Sequence, residues 1–372
     1  MARETDTSQG PQTDTSRGPL SGLRVIEFVS IGPGPHCAML LSDLGADVLR
    51  IDREGGNGWP NSIADRGRGT LVLDIRSDAG REQCRRAAAT ADVVMEGFRP
   101  GVMERLGLGP EILTAGNPRL IYARMTGWGQ TGPLAQSAGH DINYIALSGA
   151  LAAIGPPTGP PLPPLNLVGD FGGGSMFLAF GILAAIIERE RSGRGQVIDA
   201  AIVDGVTSLM TMFSGLIPRD RISLLRDRNL LGGAAPFYRC YLCGDGQPIA
   251  VGALEPKFYS QLLTRIGAPA ELFEQQNDPT NWQARCEILS ELFATRTRAE
   301  WCAILEGTDA CFSPVLTLAE TLEHPHMKAR GTFTECDGLP QPLPAPRFSR
   351  TPGRVRKSED GATMLARWAA PR

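Results

Sequence analysis

Two short segments carry the side chains with the most chemistry to offer: Gly139-His140-Asp141-Ile142-Asn143-Tyr144 and Gly169-Asp170-Phe171-Gly172-Gly173-Gly174-Ser175. Four histidines occur in 372 residues, and one of them stands in the first segment. The second sets a carboxylate before a run of glycines that opens into an apolar stretch. An imidazole titrates near neutrality, and a carboxylate at a helix start stays ionised. Together they supply two Brønsted groups, one to take a proton from a carbon next to a carbonyl and one to return it on the other face. The carbonyl oxygen gains charge in such a step, and glycine-opened N–H groups at the helix start are suited to meet it. Asp141 follows His140 directly, and adjacent residues point in different directions, so it reads as a cap or a supporting group. The plain alternative is a structural histidine and a first-turn Asp held by the helix dipole.

The surrounding elements follow from periodicity. Leu23–Phe28 alternates and is rich in β-formers, and Ile31-Gly32-Pro33-Gly34-Pro35 after it reads as a turn. A helix over Cys37–Leu44 and a strand over Asp47–Ile51 complete a β-turn-α-β opening. This predicts an α/β fold with a Rossmann-like parallel sheet. Strands Thr70–Leu73, Val93–Glu96 and Leu120–Arg124 continue it, with helices over Asp78–Ala91 and near Met103–Leu108. A helix over Ser175–Arg191, a strand over Gln196–Ala200 and a helical stretch from Val203 to Leu216 follow. Phe237–Leu242 and Pro248–Val251, around a Gly244-Asp245-Gly246 turn, open a smaller α+β domain with helical patterns near Lys257–Ile266, Cys286–Thr295 and Arg298–Leu305. A chain of this length predicts two domains. The expected divisions are a disordered tail over 1–18, a large domain over 19–201, a linker over 202–229, a small domain over 230–318, a linker over 319–343 and a basic, Pro-rich segment over 344–372.

Composition narrows the classes. The chain is 42% hydrophobic and 21% charged, as globular proteins are. A net charge of −3 gives no general attraction to nucleic acid or to an anionic membrane. No apolar run reaches the roughly 20 residues of a membrane span; Met176–Ile187 is short and ends at Glu188-Arg189-Glu190-Arg191. With no hydrophobic signal region and no peroxisomal tripeptide in Ala-Ala-Pro-Arg, a cytoplasmic location is the expectation. The eight cysteines follow no disulfide spacing, and Cys240 and Cys243 form a lone C-x-x-C, so all read as buried or half-buried free thiols. His324-Pro325-His326 lacks a third ligand and reads as a surface loop, not a metal site. The Gly32–Pro35 turn is not G-x-G-x-x-G, and its prolines remove two N–H donors, so a nicotinamide cofactor is not expected.

The motifs also carry a resemblance. GHDINY, NLVGDFGGGS, YARMTGWGQTGP, GFRPGVMERLG and the N-terminal LSGLRVIEF, GPGP and LSDLGADVLRID resemble the family III CoA-transferase superfamily of the CaiB/BaiF type, and within it the α-methylacyl-CoA racemase branch. The similarity runs from about Pro19 to about Thr351. It implies an interlocked homodimer whose C-terminal segment returns to the large domain, and a 2-methyl-branched acyl-CoA as substrate. His140 would serve the (S)-epimer and Asp170 the (R)-epimer, through a planar enolate, with Glu255 orienting the imidazole. Because Glu255 falls in the second domain, the site is expected to draw on both. CoA contacts carry over to Arg53, Arg76, Arg99 and Arg105, with Leu73 and Gly97 of the same segments. Guanidinium suits phosphate and stacks on bases, and these arginines follow strand ends, where open α/β sheets bind ligands. RMTGWGQTGP is expected to line the acyl or pantetheine channel, with Trp128 as its wall or as plain core. No metal and no separate cofactor is implied, since CoA is part of the substrate.

Two other readings stand beside this one. A CoA-transferase of the same superfamily would use Asp170 as nucleophile and would not need His140. A CoA-binding protein without catalysis is the third, and the intact set of His140, Asp170 and Glu255 argues against it. The acyl chain is not legible; Leu209-Met210-Thr211-Met212-Phe213 reads as core or as an adaptable apolar surface.

Overall fold

Runs of β-branched and apolar residues build the central sheet. The computed structural model describes residues 18–370, so the tail expected over 1–18 lies outside the described residues apart from Gly18. Strands β1 (Arg24–Phe28), β2 (Asp47–Asp52), β3 (Arg68–Val72), β4 (Val93–Glu96), β5 (Ile121–Thr126) and β6 (Val197–Ala201) pair in the order β3-β2-β1-β4-β5-β6, all parallel. The order reverses between β1 and β4, as in doubly wound sheets, which bind ligands at that point. Val25, Ile26, Val93 and Val94 are fully buried, as strands covered on both faces require.

Helices fill the crossovers: α1 (Pro33–Asp43), α2 (Asp78–Ala88), α3 (Val102–Arg105) and α4 (Pro110–Gly116). The sequence reading put a turn over Gly32–Pro35 and began the helix at Cys37. Instead α1 starts at Pro33. First-turn residues need no N–H for the helix ladder, so both prolines fit there, and Gly32 makes the sharp approach at φ 68°, ψ −116°.

After α5 (Asp141–Leu147), which belongs to the second unit below, comes α6 (Met176–Ser192). A π-helix over Leu167–Ser175 runs directly into it. The combined helix, Leu167–Ser192, has 26 residues, and an 18-residue stretch of it reaches a mean hydropathy of 1.7, long and apolar enough to cross a membrane. This corrects the expectation that no apolar run reaches that length; the glycine-rich stretch, expected as a turn that opens the helix, is itself helical. From α6 the chain packs on β5, β6 and α1, the place of a crossover helix, and buries Leu178, Ala179 and Ile182.

Contacts divide the chain into two units. The first holds the described residues up to Gly139, Gly169–Gly205 and those from Thr332 onward; the second holds His140–Val168 and Val206–Gly331. Local patterns had suggested boundaries at 201 and 230. An excursion that leaves a unit and returns is set by long-range contacts that local patterns do not carry. In the second unit β7 (Tyr238–Leu242), β8 (Pro248–Gly252) and β9 (Phe312–Pro314) form an antiparallel sheet in that order. Helices Pro256–Ile266, Trp282–Phe293 and Arg298–Leu305 accompany it, and Phe237, Tyr241, Leu263, Phe293 and Trp301 form its core. Strand alternation leaves Cys240 exposed opposite buried Tyr241, against the expectation for the thiols; the other seven are free and buried or half-buried.

The C-terminal residues belong to the first unit. β10 (Phe333–Cys336) and β11 (Leu339–Pro342) form a hairpin, and β12 (Glu359–Asp360) adds to the sheet in parallel beside β3. Helix Gly361–Trp368 then lies on β3 and β2, where a Cβ on Gly69 would come within 3.0 Å of Met364.

Candidate active site

The C-terminal ends of β1 to β5 open on a cavity of about 1070 Å³, at the upper end of small-molecule pockets, roughly 300–1,000 Å³. Ser30 after β1 and Gly97 after β4 face it at the reversal of strand order. A Cβ on Gly97 would sit 3.1 Å from that of Ser30, so glycine lets the two walls close up. Arg53, Leu73, Arg76 and Gly97 all line this cavity. Arg99 and Arg105 do not; both are exposed on the segment beyond Gly97. Three carboxylates share the lining, Asp52, Glu54 and Asp74. Asp52 lies 3.1 Å from Arg50 and accepts the Arg53 N–H at 2.7 Å, and Asp74 accepts the Arg76 N–H at 2.9 Å. A lining of two guanidiniums and three carboxylates suits a ligand that offers both phosphates and hydroxyls.

Below Gly97, β4 ends in Glu96. Its carboxylate accepts the Phe98 N–H at 2.7 Å and lies 3.7 Å from Arg124 Nε. Burial outweighs both and pushes the carboxyl up to about 7. Arg124 also pairs with Glu104 and donates to Gln130 at 2.6 Å, tying the RMTGWGQTGP loop to α3. Trp128 in that loop is half-buried.

Asp170 stands in the first turn of the π-helix, half-buried. In a π-helix each N–H bonds back five residues, so the N–H groups of Gly172, Gly173 and Gly174 are engaged within it. That removes them as the donors the sequence reading offered to a developing oxyanion. Gly174, with Gly205 opposite, allows close packing instead. A Cβ on Gly174 would meet Pro33 at 3.0 Å and Ile202 at 3.1 Å, and one on Gly205 would meet the Gly173 carbonyl oxygen at 1.9 Å. The carboxylate of Asp170 lies against the start of α1: a Cβ on Gly32 would be 2.9 Å from its Oδ2.

One neighbour of this turn has no sign in a sequence motif. His36, in the first turns of α1, is joined to Ser175 Oγ through Nδ1 at 2.7 Å and stacks on Phe171 at 4.4 Å and 27°. Burial, and then the nearby Arg68 charge, hold its pKa below the ordinary value. The only sign of it in the sequence was the scarcity of histidine.

In the second unit His140 is the N-cap of α5, with extended backbone. Its N–H donates to Asn143 Oδ1 at 3.0 Å and its carbonyl accepts the Asn143 N–H at 2.8 Å, which fixes the helix start. The His140 side chain is exposed, while Asp141 after it is buried in the first turn. Glu255 caps helix Pro256–Ile266, and its carbonyl accepts the N–H groups of Phe258 and Tyr259 at 3.0 Å. It too is exposed, and no hydrogen bond joins it to His140 among the described residues. His324 pairs with Glu306 at 2.7 Å. Leu209 and Met212 of the Met-rich stretch are exposed, not core.

Comparison with known proteins gives a consistent result. The sequence profile of CoA-transferase family III matches residues 20–359. The α-methylacyl-CoA racemase of Mus musculus is 48% identical over 334 residues, 90% of this chain and 87% of that protein. That of Homo sapiens is 46% identical, with the same coverage. The crystal structure of a CaiB/BaiF family protein from Brucella suis superposes with a TM-score of 0.81 at 28% identity, covering 95% of this chain and all of that one.

Proposed function

The chain belongs to CoA-transferase family III, and from that premise we propose that it racemises 2-methyl-branched acyl-CoA thioesters. The observation that carries the proposal is the second base. In addition to Asp170, the carboxylate a transferase would use as nucleophile, the chain has His140 exposed at a fixed helix start. In this reading the cavity at the strand ends takes the nucleotide of CoA, with Arg53 and Arg76 toward its phosphates and Leu73 and Gly97 as walls. Arg99 and Arg105 are exposed cations for the same ligand. His140 takes the α-proton of the (S)-thioester and leaves an enolate. Asp170, in its acid form, delivers a proton to the opposite face and gives the (R)-thioester. Exchange with water then restores neutral His140 and the Asp170 carboxyl proton, and the reverse reaction exchanges the roles. Glu255 is proposed to orient the imidazole. No cofactor beyond the CoA of the substrate enters the scheme, and the working form is proposed to be a cytoplasmic homodimer.

The test is to incubate the protein with (S)-2-methylacyl-CoA in D2O and follow the α-proton by NMR. Exchange with epimerisation is expected. His140→Ala should slow exchange from the (S)-epimer by about 10²- to 10⁴-fold, and Asp170→Ala should slow epimerisation comparably. Passage of CoA to an added carboxylic acid without α-exchange would overturn racemisation in favour of transfer.

A further inference from the structure

We propose that His36 is a positioning residue for Asp170, acting through its hydrogen bond to Ser175 and its stack on Phe171. A π-helix is rare and recurs at functional sites; it holds only where its surroundings fix it. Here one side chain touches two points four residues apart, Phe171 next to Asp170 and Ser175 where the π-turns give way to α6. Ser175 is fully buried, so its hydroxyl has no bulk water to take the place of the imidazole.

His36 is itself anchored from behind. The carbonyl of Pro35 accepts from the Arg68 guanidinium, and Arg68 Nε is paired with Glu27 at 2.7 Å, both side chains buried. The same stretch of α1 brings Gly32 against the Asp170 carboxylate. A continuous set of fixed contacts therefore runs from β1 through Arg68 and His36 to the turn that holds Asp170. Burial and the Arg68 charge favour the neutral ring, so His36 braces this turn through contact and hydrogen bonding.

The inference rests on Asp170 as the reacting carboxylate, a role that racemisation and CoA transfer both give it. His36→Phe keeps a ring to stack and removes the hydrogen bond; Ser175→Ala removes the partner. Each should lower kcat about 10- to 100-fold, with KM for the thioester and the Kd for CoA within about twofold of wild type. The double variant should be no slower than the slower single, as for two ends of one bond. Retained kcat in Ser175→Ala, losses that multiply in the double, or CoA affinity falling with kcat would overturn the inference. Should His36→Phe fail to fold, Ser175→Ala reads the same bond alone. Wild type that transfers CoA without α-exchange sinks racemisation only, and the same variants are then read on transfer. Wild type inactive in both reactions sinks the inference as well.

Discussion

At Gly32 a hydrogen atom is all the site admits. Its φ of 68° with ψ −116° is a conformation that L-residues avoid, and a Cβ would press within 2.9 Å of Asp170 Oδ2. Gly32→Ala should therefore cost about 1–3 kcal/mol of stability from the backbone alone. It should also displace the carboxylate and lower kcat about 10- to 100-fold, beyond what partial unfolding explains. Urea unfolding and turnover on the same sample separate the two effects; full activity in a destabilised protein would take Asp170 out of the chemistry. Gly174 and Gly205 are required for a different reason, since they let the π-helix and its neighbours approach closely. The sequence displays all of these glycines alike. Only the contacts separate the one that faces a carboxylate from those that face backbone and methylenes.

At the scale of the element, the end of β4 carries a pH-sensitive joint. The Glu96 carboxyl is raised from 4.5 to about 7 because burial disfavours its charge more than the Phe98 N–H and Arg124 favour it. The folded state thus holds a proton that the unfolded state has lost between those values. Stability from this group is complete below about pH 4.5 and is lost as pH rises through 7, by about 3 kcal/mol in all. Glu96→Gln should flatten this dependence: its stability relative to wild type should rise between pH 5 and pH 8, as urea midpoints would report. An unchanged difference would mean that Glu96 is ionised throughout. The strand itself was legible to the residue, because the apolar run Val93-Val94-Met95, closed by Glu96 before Gly97, admits little else. The start of α1 was not, because proline signals a turn and a first helical turn equally well. The π-helix was hidden further, since glycine lowers helix propensity and its reason lies in tertiary contacts with Pro33, Ile202 and Gly205. His36 had no partner in sequence to announce it; Ser175 lies 139 positions away.

For the whole molecule, charge sets how an anionic thioester is held. With a net charge of −3 the chain exerts no long-range pull on CoA, so affinity must come from local guanidiniums. Arg53 and Arg76 face the cavity, whereas Arg99 and Arg105 lie outside its lining. A charge-assisted bond to phosphate is worth about 1.5–3 kcal/mol, so Arg53→Ala or Arg76→Ala should weaken CoA about 10- to 100-fold, and Arg99→Ala or Arg105→Ala less. The loss should shrink as salt is raised and the guanidinium of wild type is screened. Pantetheine thioesters, which carry the same reacting carbonyl without the nucleotide phosphates, should show no such loss. Calorimetry with CoA and turnover with the pantetheine thioester make the comparison. Equal losses for both ligands would mean that the arginines support the fold and not the phosphates, and the nucleotide would then have to be sought away from the ends of β2 and β3.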